Sequence, residues 1–524
     1  EVFKVEQVPV EKEPGDAPKF AVCEDKQGNL WVHPVGGGLS WFDRENNELK
    51  PFYNEVGTDA WRFSNKLHAM MLDHQGNLWL GTHSKGLDKI TFFKNEFQLI
   101  KPQNCKYDTN ANQVRSLCQD SRKQLWIGTR NSKVSVYSLD FQLQGYLTVD
   151  GRISLTGAPF RGSAYKIIED SKKNIWIATK GNGIVQLIPQ GSGYKMLHYT
   201  YDANDIYSLS HNNVYDLCED SYGRIWVVTF GGGIDYIEKE SDGSVRFINS
   251  RNNLKSYPME RCYKARRMLL DKKGMLWVAT SNGLLAFSEK FERPDTIDFH
   301  LFVCMPNKRE VLSCNDIYDI LLTHDGRLFF ATFGGGLNEL KSLDKKGNAL
   351  FTSYSAKDGL PTDVLSSLAE DTKGDIWIGS ESGLSKMDIV NHHFDNYLKQ
   401  EIGEELSFEE STAIRAEDGR LLFGTNRGLL CFTPELIRKN SYVPGIVLSG
   451  LKIANKDVVP RPESVLPESL NSLSHLYLSH KENTVTLSFA ALDMSFPENV
   501  KYAYILEGFD KEWNYVRKQR TATH

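Results

Sequence analysis

The chain has 524 residues, with 62 Lys and Arg against 67 Asp and Glu and a formal net charge of −5 at pH 7. This length allows about two or three domains, and the slightly acidic balance argues against a nucleic-acid surface, because phosphate binding needs a basic face. The sequence holds no apolar stretch of about eighteen residues that would predict a membrane span. Its first residues do not resemble a signal peptide, so we expect a mature or excised region.

One sequence motif recurs nine times along the chain, from a first copy at Gly28 to a ninth copy at Gly419. Its core reads Asp-x-x-Gly-x-Leu-Trp-Ile-Gly-Thr and is followed by a Gly-rich turn and a second apolar run. The spacing of about fifty residues is typical of propeller blades or solenoid units. The residues at the Trp position, which we call the anchors, are Trp31, Trp79, Trp126, Trp176, Trp226, Trp277, Phe329, Trp377 and Leu422.

Each repeat predicts four short β-strands. Runs rich in Val, Ile, Tyr and Trp are separated by Gly, Asn and Asp, and no helical periodicity persists long enough to compete. The Asp six residues before most anchors, such as Asp220 before Trp226, is expected to bond the backbone of its own turn. Four-stranded units arranged radially form a β-propeller, which is the fold we predict.

Nine repeats exceed the four to eight blades of a usual single ring. The ninth repeat lacks its fourth strand, because a linker follows Leu429–Thr433. An outer strand taken from Phe97–Ile100 would complete it and close a ring of repeats three to nine. We therefore predict a seven-bladed propeller at 95–440, and at 1–94 two blades of a preceding, incomplete propeller, whose open faces need further sequence or a second ring to cover them.

Beyond Pro444 the repeat stops and a different all-β segment begins. Alternating apolar residues in Thr484–Ala490 and Lys501–Trp513 have the period of two that half-buried antiparallel strands show. We predict that 441–524 is an incomplete Ig-like β-sandwich. The aromatic residues expected in its core are Tyr502, Tyr504 and Trp513.

The repeats resemble the two-component-regulator propeller repeat, and the run Tyr502–Trp513 resembles the triple-tyrosine sandwich module that follows it. In that family the two modules form the periplasmic sensor of hybrid two-component systems, common in Bacteroides-type gut bacteria, which detect polysaccharide fragments. The usual order is two seven-bladed propellers, the sandwich, a membrane helix, a histidine kinase, a receiver and a DNA-binding domain.

This resemblance implies that the chain is a periplasmic ectodomain of an inner-membrane protein, with most of the first propeller and the kinase outside the sequence. It implies a homodimer that is tethered to the membrane through a segment absent here and does not itself touch nucleic acid. This region is not expected to be an enzyme, although the full-length protein would be a histidine kinase.

A propeller ligand is expected at the mouth of the central channel, where the innermost strands begin. Eleven residues before the anchors lie His68, Arg115, Tyr165, Tyr215, Arg266 and Tyr318, and ten residues before them lie Lys166, Asp216, Arg267 and Asp319. Tyrosines among arginines and carboxylates suit a sugar, because aromatic faces stack on its C–H surface and charged groups bind its hydroxyls. The predicted ligand is an oligosaccharide, and the site residues are Arg115, Tyr165, Tyr215, Asp216, Arg266, Arg267, Tyr318 and Asp319.

Alternatives remain open at this point. The same residues could be ordinary strand ends with structural salt bridges, and Arg266 with Arg267 would also suit an acidic or sulfated sugar. Glycoside hydrolysis needs two carboxylates at a defined separation, and the repeats single out none, so no catalytic residue is predicted. A propeller glycosidase or lyase and a protein-interaction scaffold stay as alternatives to a sensor.

No cofactor or metal site is predicted, since the sequence has no Cys-x-x-Cys or His cluster. The glycine triplets, such as Gly231–Gly233, lack the helix that follows a phosphate-binding turn. Cys23, Cys118 and Cys218 share one repeat position and are expected to be buried free thiols, whereas spacing leaves the pairing of Cys304 with Cys314 open.

Overall fold

The fold is known from a computed structural model. It describes residues 20–34, 38–52, 67–84, 86–92, 96–103, 110–240, 244–305, 308, 310–344, 347–437, 444–495, 497, 500–517 and 519–523. The chain forms two compact units, of which the first combines 1–94 with 439–524 and the second is 95–438. Among the described residues, no helix has the length and apolar character needed to cross a membrane.

The described residues of the second unit form seven antiparallel sheets, one for each of repeats three to nine, which we call blades one to seven. The strands of blade one are Val114–Gln119, Leu125–Thr129, Val134–Tyr137, Leu143–Leu147 and Ile153–Ser154. Blade two has Ala164–Glu169, Ile175–Thr179, Ile184–Gln190 and Gly193–Tyr199. Blade three has Val214–Glu219, Ile225–Thr229, Gly233–Lys239 and Val245–Ile248.

Blades four to six follow the same order. Blade four has Ala265–Leu270, Met275–Thr280, Gly283–Ser288 and His300–Phe302. Blade five has Ile317–Leu322, Leu328–Thr332, Leu337–Leu343 and Ala349–Tyr354. Blade six has Leu365–Glu370, Ile376–Ser380, Gly383–Met387 and Phe394–Tyr397. Short helical turns connect some strands at Met259–Cys262, Pro294–Thr296, Lys399–Ile402 and Pro434–Leu436.

Blade seven closes the ring with a strand from its beginning. Its strands are Phe408–Arg415, Leu421–Thr425, Leu429–Phe432 and Gln98–Ile100. Leu429 pairs with Ile100 and Cys431 pairs with Gln98, which confirms the outer strand predicted at Phe97–Ile100. The innermost strand of each blade lies against that of the next, and the seventh lies against the first.

The first unit holds two blade-like sheets and the C-terminal strands. The first sheet has Phe20–Glu24, Leu30–Pro34, Leu39–Asp43 and Glu48–Phe52, and the second has Leu67–Leu72, Leu78–Thr82 and Leu87–Ile90. The C-terminal strands form one sheet from Ile446–Ile453, Lys456–Val458, Val485–Ala491 and Thr521–Thr523, and a hairpin from Tyr502–Tyr504 and Asn514–Arg517.

The predicted sandwich core is partly wrong. Tyr502 is buried against Phe489, and the Tyr504 side chain packs on the same cluster. Trp513, in contrast, is 54% exposed. The reason is its position at the end of the turn between the two hairpin strands, where it has no place on the inner face of the sheet.

The cysteines agree with the predicted free thiols. Cys118 and Cys218 are free, and burial raises the pKa of each thiol to about 12. Cys23 is also free, and all three are partly rather than fully buried. Cys304 and Cys314 are unpaired too, while Cys105 lies outside the described residues.

A hydrogen bond between Trp and Asp holds the turn of most repeats. In blade six the indole Nε1 of Trp377 donates to Asp371 Oδ2 at 2.9 Å, while Asp371 Oδ1 accepts from the backbone N–H of Asp375 at 3.0 Å. The same bond joins Asp25 to Trp31, Asp73 to Trp79, Asp120 to Trp126, Asp170 to Trp176, Asp220 to Trp226 and Asp271 to Trp277. The Asp thus closes the turn and also satisfies the indole of its own blade.

The two blades without a Trp anchor lack the Asp as well. Blade five has Thr323 before Phe329, and blade seven has Ala416 before Leu422. Thr323 Oγ1 still accepts from the backbone N–H of Arg327 at 2.9 Å, so a hydroxyl suffices to close the turn. The Oδ2 atom of the Asp is therefore needed only in blades with a Trp anchor, where it accepts from the buried indole N–H.

We expect Asp371→Thr to lower the free energy of unfolding by about 1–3 kcal/mol, because the buried indole N–H of Trp377 loses its acceptor. The double variant with Trp377→Phe removes the donor too, and should lose less stability than the sum of the two single variants. Denaturant unfolding of the four proteins measures this coupling. Strictly additive losses would contradict the role assigned to the bond.

Candidate functional site

Five of the eight predicted site residues form an outer layer around the start of the innermost strands. The Arg115 guanidinium lies 4.3 Å from the ring centroid of Tyr165, and the rings of Tyr165 and Tyr215 are 4.8 Å apart. On the other side, the Arg266 guanidinium lies 4.5 Å from the ring of Tyr318. All five are partly buried, so the sequence position they share does bring them to one end of the ring.

Two phenylalanines that the sequence reasoning missed extend this aromatic surface. Phe230 stacks on Tyr215 with ring centroids 4.9 Å apart, and Phe333 stacks on Tyr318 at 5.2 Å. Phe333 is 48% exposed, which leaves much of its ring available to a ligand. Both stand four residues after their anchors, at the turn after the second strand, and this shared position is the signal that could have revealed them.

Blade seven sends a bulge into the centre of the ring. Phe408 pairs with Thr425 but the next paired residue is Ala413, opposite Phe423, so the residues between them leave the sheet. Ser411 in this segment has a φ of 50°, the left-handed region that residues with a side chain rarely adopt. We call residues 409–412 the central bulge.

The central bulge carries two glutamates that the sequence reasoning also missed. Glu409 forms an ion pair with Arg115 of blade one. The Glu410 Oε1 atom lies 2.7 Å from Arg266 Nη1, and its Oε2 atom lies 3.5 Å from Arg115 Nη2. Since one carboxylate of blade seven reaches both blade one and blade four, it must lie near the axis of the ring, where it forms the floor of the mouth.

Three carboxylates face the two arginines of the outer layer. Arg266 also pairs with Asp316, whose Oδ1 atom is 3.0 Å from Arg266 Nε, so Glu409, Glu410 and Asp316 face two arginines. Burial raises the pKa of Asp316, and it raises the pKa of Tyr318 to about 12. Burial alone would lower the pKa of Arg115, but Glu409 and its other neighbours outweigh this and raise it.

The other three predicted residues form a deeper layer. Arg267 Nη1 lies 3.1 Å from both carboxylate oxygens of Asp216, and Arg267 Nε lies 3.2 Å from Asp319 Oδ1. Lys166 Nζ lies 3.7 Å from Asp216 Oδ1. Burial, and then the charge of Arg267, lower the pKa of Lys166, while burial raises the pKa of Asp319.

The deeper layer also joins blades through their backbones. Asp216 of blade three accepts from the backbone N–H of Met268 in blade four at 2.8 Å, and Asp319 of blade five accepts from that of Leu368 in blade six at 2.9 Å. Both carboxylates are almost completely buried. The eight predicted residues therefore lie at one centre, five around the mouth and three in a network beneath it.

His68, at the equivalent position of the first unit, has a different environment. Its Nε2 atom lies 2.8 Å from His83 Nδ1, and the two imidazole rings stack with centroids 5.0 Å apart.

Two cavities lie in the loops that lead to the innermost strands. One of about 550 Å³ is lined by residues of 304–313 and 351–353 near blade five. The other, of about 390 Å³, is lined by Tyr201, Ser210, His211, Asn212, Gly231, Gly232, Ser250, Arg251 and Met259. Tyr263 O accepts from the backbone N–H groups of Gly231 and Gly233, at 2.8 and 3.1 Å, so these amides are not free to cradle a phosphate.

A buried carboxylate lies under the second cavity. Asp235 accepts from the backbone N–H of Ser210 at 2.9 Å and from Asn249 Nδ2 at 2.7 Å. Burial raises the pKa of Asp235 to about 7, and these bonds offset it only in part. Blade five has a neutral counterpart, because Asn338 occupies the equivalent strand position and its Oδ1 accepts from the backbone N–H of Ser313 at 3.0 Å.

We expect the contribution of Asp235 to the free energy of unfolding to fall as the pH rises from about 4 to about 7, because Asp235 binds its proton more tightly in the folded than in the unfolded chain, where the pKa is about 3.9. Asp235→Asn should remove this contribution, which is on the order of a few kcal/mol, and make the variant relatively more stable at pH 8 than at pH 5. Denaturant unfolding of both proteins at the two pH values tests it. An equal difference at both would contradict the raised pKa.

Four segments of the chain match the repeats of a known family. Residues 63–84, 109–131, 208–231 and 359–382 match the two component regulator propeller family. Histidine kinase P4 of Formosa agariphila is 20% identical to the chain over 481 residues, which are 91% of this chain and 30% of that protein. The chain thus spans less than a third of the length of this curated relative.

A solved structure shares the fold. It is the extracellular domain of the hybrid two component system BT4673 from B. thetaiotaomicron, which is 19% identical to this chain. The match covers 96% of this chain and 64% of that chain, with a TM-score of 0.50. The propeller fold predicted from the repeats is therefore confirmed both within the chain and by a related architecture.

Proposed function

We propose that this chain is the extracytoplasmic sensor region of a hybrid two-component signalling protein, whose full length includes a histidine kinase. Three observations support the proposal: the family of the repeats, the histidine kinase among the relatives, and the extracellular domain of a hybrid two component system among the similar folds. The region would lie in the periplasm and be tethered to the inner membrane.

We propose further that the mouth of the second unit binds an oligosaccharide. The observation that carries this proposal is the aromatic surface of the outer layer, in which Phe230 and Phe333 stack on two tyrosines beside paired charges. Aromatic faces of this kind suit the C–H face of a pyranose ring. Phe333 packs on Tyr318 and still leaves about half of its surface exposed, which favours a role in binding.

The charged groups of the outer layer would fix the orientation of the sugar. A sugar hydroxyl can donate to a carboxylate and accept from a guanidinium, and hydrogen bonds to charged groups are stronger than neutral ones. The deeper layer would act indirectly, since Asp216 and Asp319 hold the innermost strands that present the tyrosines. This division assigns ligand contact to the outer layer and positioning to Asp216, Arg267 and Asp319.

A sensor must convert binding into a change of conformation. A ligand shifts such an equilibrium only by its different affinity for the two arrangements. We propose that the chain works as a homodimer, in which the ligand changes how the sandwich segments of the two copies approach each other and passes that change toward the membrane.

The direct test is calorimetric titration of the protein with size-defined neutral and acidic oligosaccharides, followed by chromatography of each sugar. Saturable binding of a sugar that is recovered intact is the expected result. Cleavage would assign the propeller to carbohydrate-active enzymes, and the absence of binding across the panel would favour a protein-interaction scaffold.

We expect Tyr215→Ala to weaken oligosaccharide binding about tenfold or more, because the aromatic surface of the mouth loses the ring on which Phe230 and Tyr165 pack. Tyr222→Ala is a matched control in the same blade, since Tyr222 is 60% exposed in the turn between the first and second strands, at the other end of the blade. Calorimetry of both variants and of the unmodified protein makes the comparison. Equal affinities in all three would show that the ligand does not use this mouth.

A further inference from the structure

The two arginines of the outer layer already hold an anionic group between them. Glu410 directs one carboxylate oxygen toward Arg266, at 2.7 Å, and the other toward Arg115, at 3.5 Å. Sulfate and carboxylate substituents of sugars are bound in proteins by this kind of contact with guanidinium groups. The Glu410 side chain therefore occupies the place that an acidic sugar would need.

Each arginine has a second carboxylate as well. Arg115 pairs with Glu409, and Arg266 pairs with Asp316. An incoming anion would have to displace Glu410 and leave a partly buried carboxylate without its partners, which costs several kcal/mol. A neutral sugar meets no such barrier, because its hydroxyls can add to the existing pairs.

The two residues that follow Glu410 hold the central bulge in this place through their hydroxyl groups. The Ser411 hydroxyl donates to the carbonyl oxygen of Tyr318, and the Thr412 hydroxyl donates to that of Arg115 at 3.0 Å. The central bulge is thus bonded to blades one and five on both sides of the mouth. A swing of Glu410 away from the arginines would have to break these contacts or turn the side chain alone.

The lysines at the edge of the mouth do not replace the paired arginines. Lys180 lies 5.6 Å from the ring centroid of Tyr165, and Lys264 lies 5.3 Å from that of Phe230. Each ammonium group covers an aromatic face, and an ammonium group lacks the planar fork that binds sulfate or carboxylate in a bidentate way.

We propose that Glu410 is a specificity-determining residue, which fills the anion position between Arg115 and Arg266 and thereby makes the mouth select uncharged saccharides over uronic or sulfated ones. The inference rests on the proposed saccharide-binding role of this mouth. It assigns the charge class of the ligand, and it excludes the acidic sugar that the arginines by themselves would suggest.

The first arm of the test uses the unmodified protein. It is titrated with neutral gluco-, galacto-, manno- and xylotetraoses, and with uronic and sulfated tetrasaccharides of the same length at constant ionic strength. Binding of a neutral member at least tenfold tighter than of any acidic one is expected. Tighter binding of an acidic member would overturn the inference and leave the proposed saccharide sensing intact.

The second arm uses inorganic sulfate as the probe and does not depend on the identity of the sugar. Glu410→Ala empties the position between the two arginines and leaves Arg115 and Arg266 one carboxylate each, so the variant is expected to fold. It should gain saturable sulfate binding at least tenfold tighter than that of the unmodified protein, whereas Glu417→Ala, which removes an exposed glutamate in the turn between the first two strands of blade seven, at the other end of the blade, should not.

The two arms separate the two proposals. No binding of any tetrasaccharide, together with a gain of sulfate binding in Glu410→Ala, would overturn saccharide sensing while the occupied anion position stands. If Glu410→Ala gains no more sulfate affinity than Glu417→Ala, the position assigned to Glu410 is overturned, whichever sugars bind. Melting temperatures of all three proteins verify that they are folded.

Discussion

The structure depends on one hydrogen bond, from a buried indole to a carboxylate six residues earlier in the chain. The indole is the largest side chain between neighbouring blades, as with Trp176, which packs on Val214 and Leu217 of the next blade. Its N–H group would be costly to bury without an acceptor. Because the same Asp closes the preceding turn, the bond fixes the spacing of the first two strands and the packing of the blade in a single step.

This bond also explains why the mouth can carry so many charges. With the blades joined through their apolar faces and their outer turns, the innermost strands are free to differ from one repeat to the next. Blades one, four and seven contribute Arg115, Arg266 and the central bulge, and blades two, three and five contribute tyrosines. The chemistry at the centre therefore varies on a scaffold that the apolar contacts between blades and the Asp–Trp bonds also hold together.

Much of this arrangement could be predicted from the sequence, because the repeat supplies a common numbering. Counting from the anchors located the outer and deeper layers, and the missing fourth strand of the ninth repeat located the closing strand. Glu409 and Glu410 were not predicted as site residues, because the central bulge breaks the strand register on which counting from the anchors relies. Phe230 and Phe333 were not predicted either, because they lie in a turn and not on the innermost strand.

The limits of a period-two pattern appear in the C-terminal segment. Alternation identified Tyr502 as a core residue, but it gave no information on where the strand ended. Trp513 was assigned to the core because it is aromatic, although it lies beyond the paired strands and is exposed. Burial of an aromatic side chain depends on the face of a sheet it reaches, which the residue type alone does not specify.

The closing of blade seven has a mechanical consequence. The second unit is held shut by three pairs, Leu429 with Ile100, Leu430 with Leu99 and Cys431 with Gln98, and the chain leaves the ring from both members of this short ladder. Tension applied to the chain on either side of the second unit would act on these three pairs before any others. The same sheet extends inward to the central bulge, so the blade that reaches the ring axis is also the one that would open first under force.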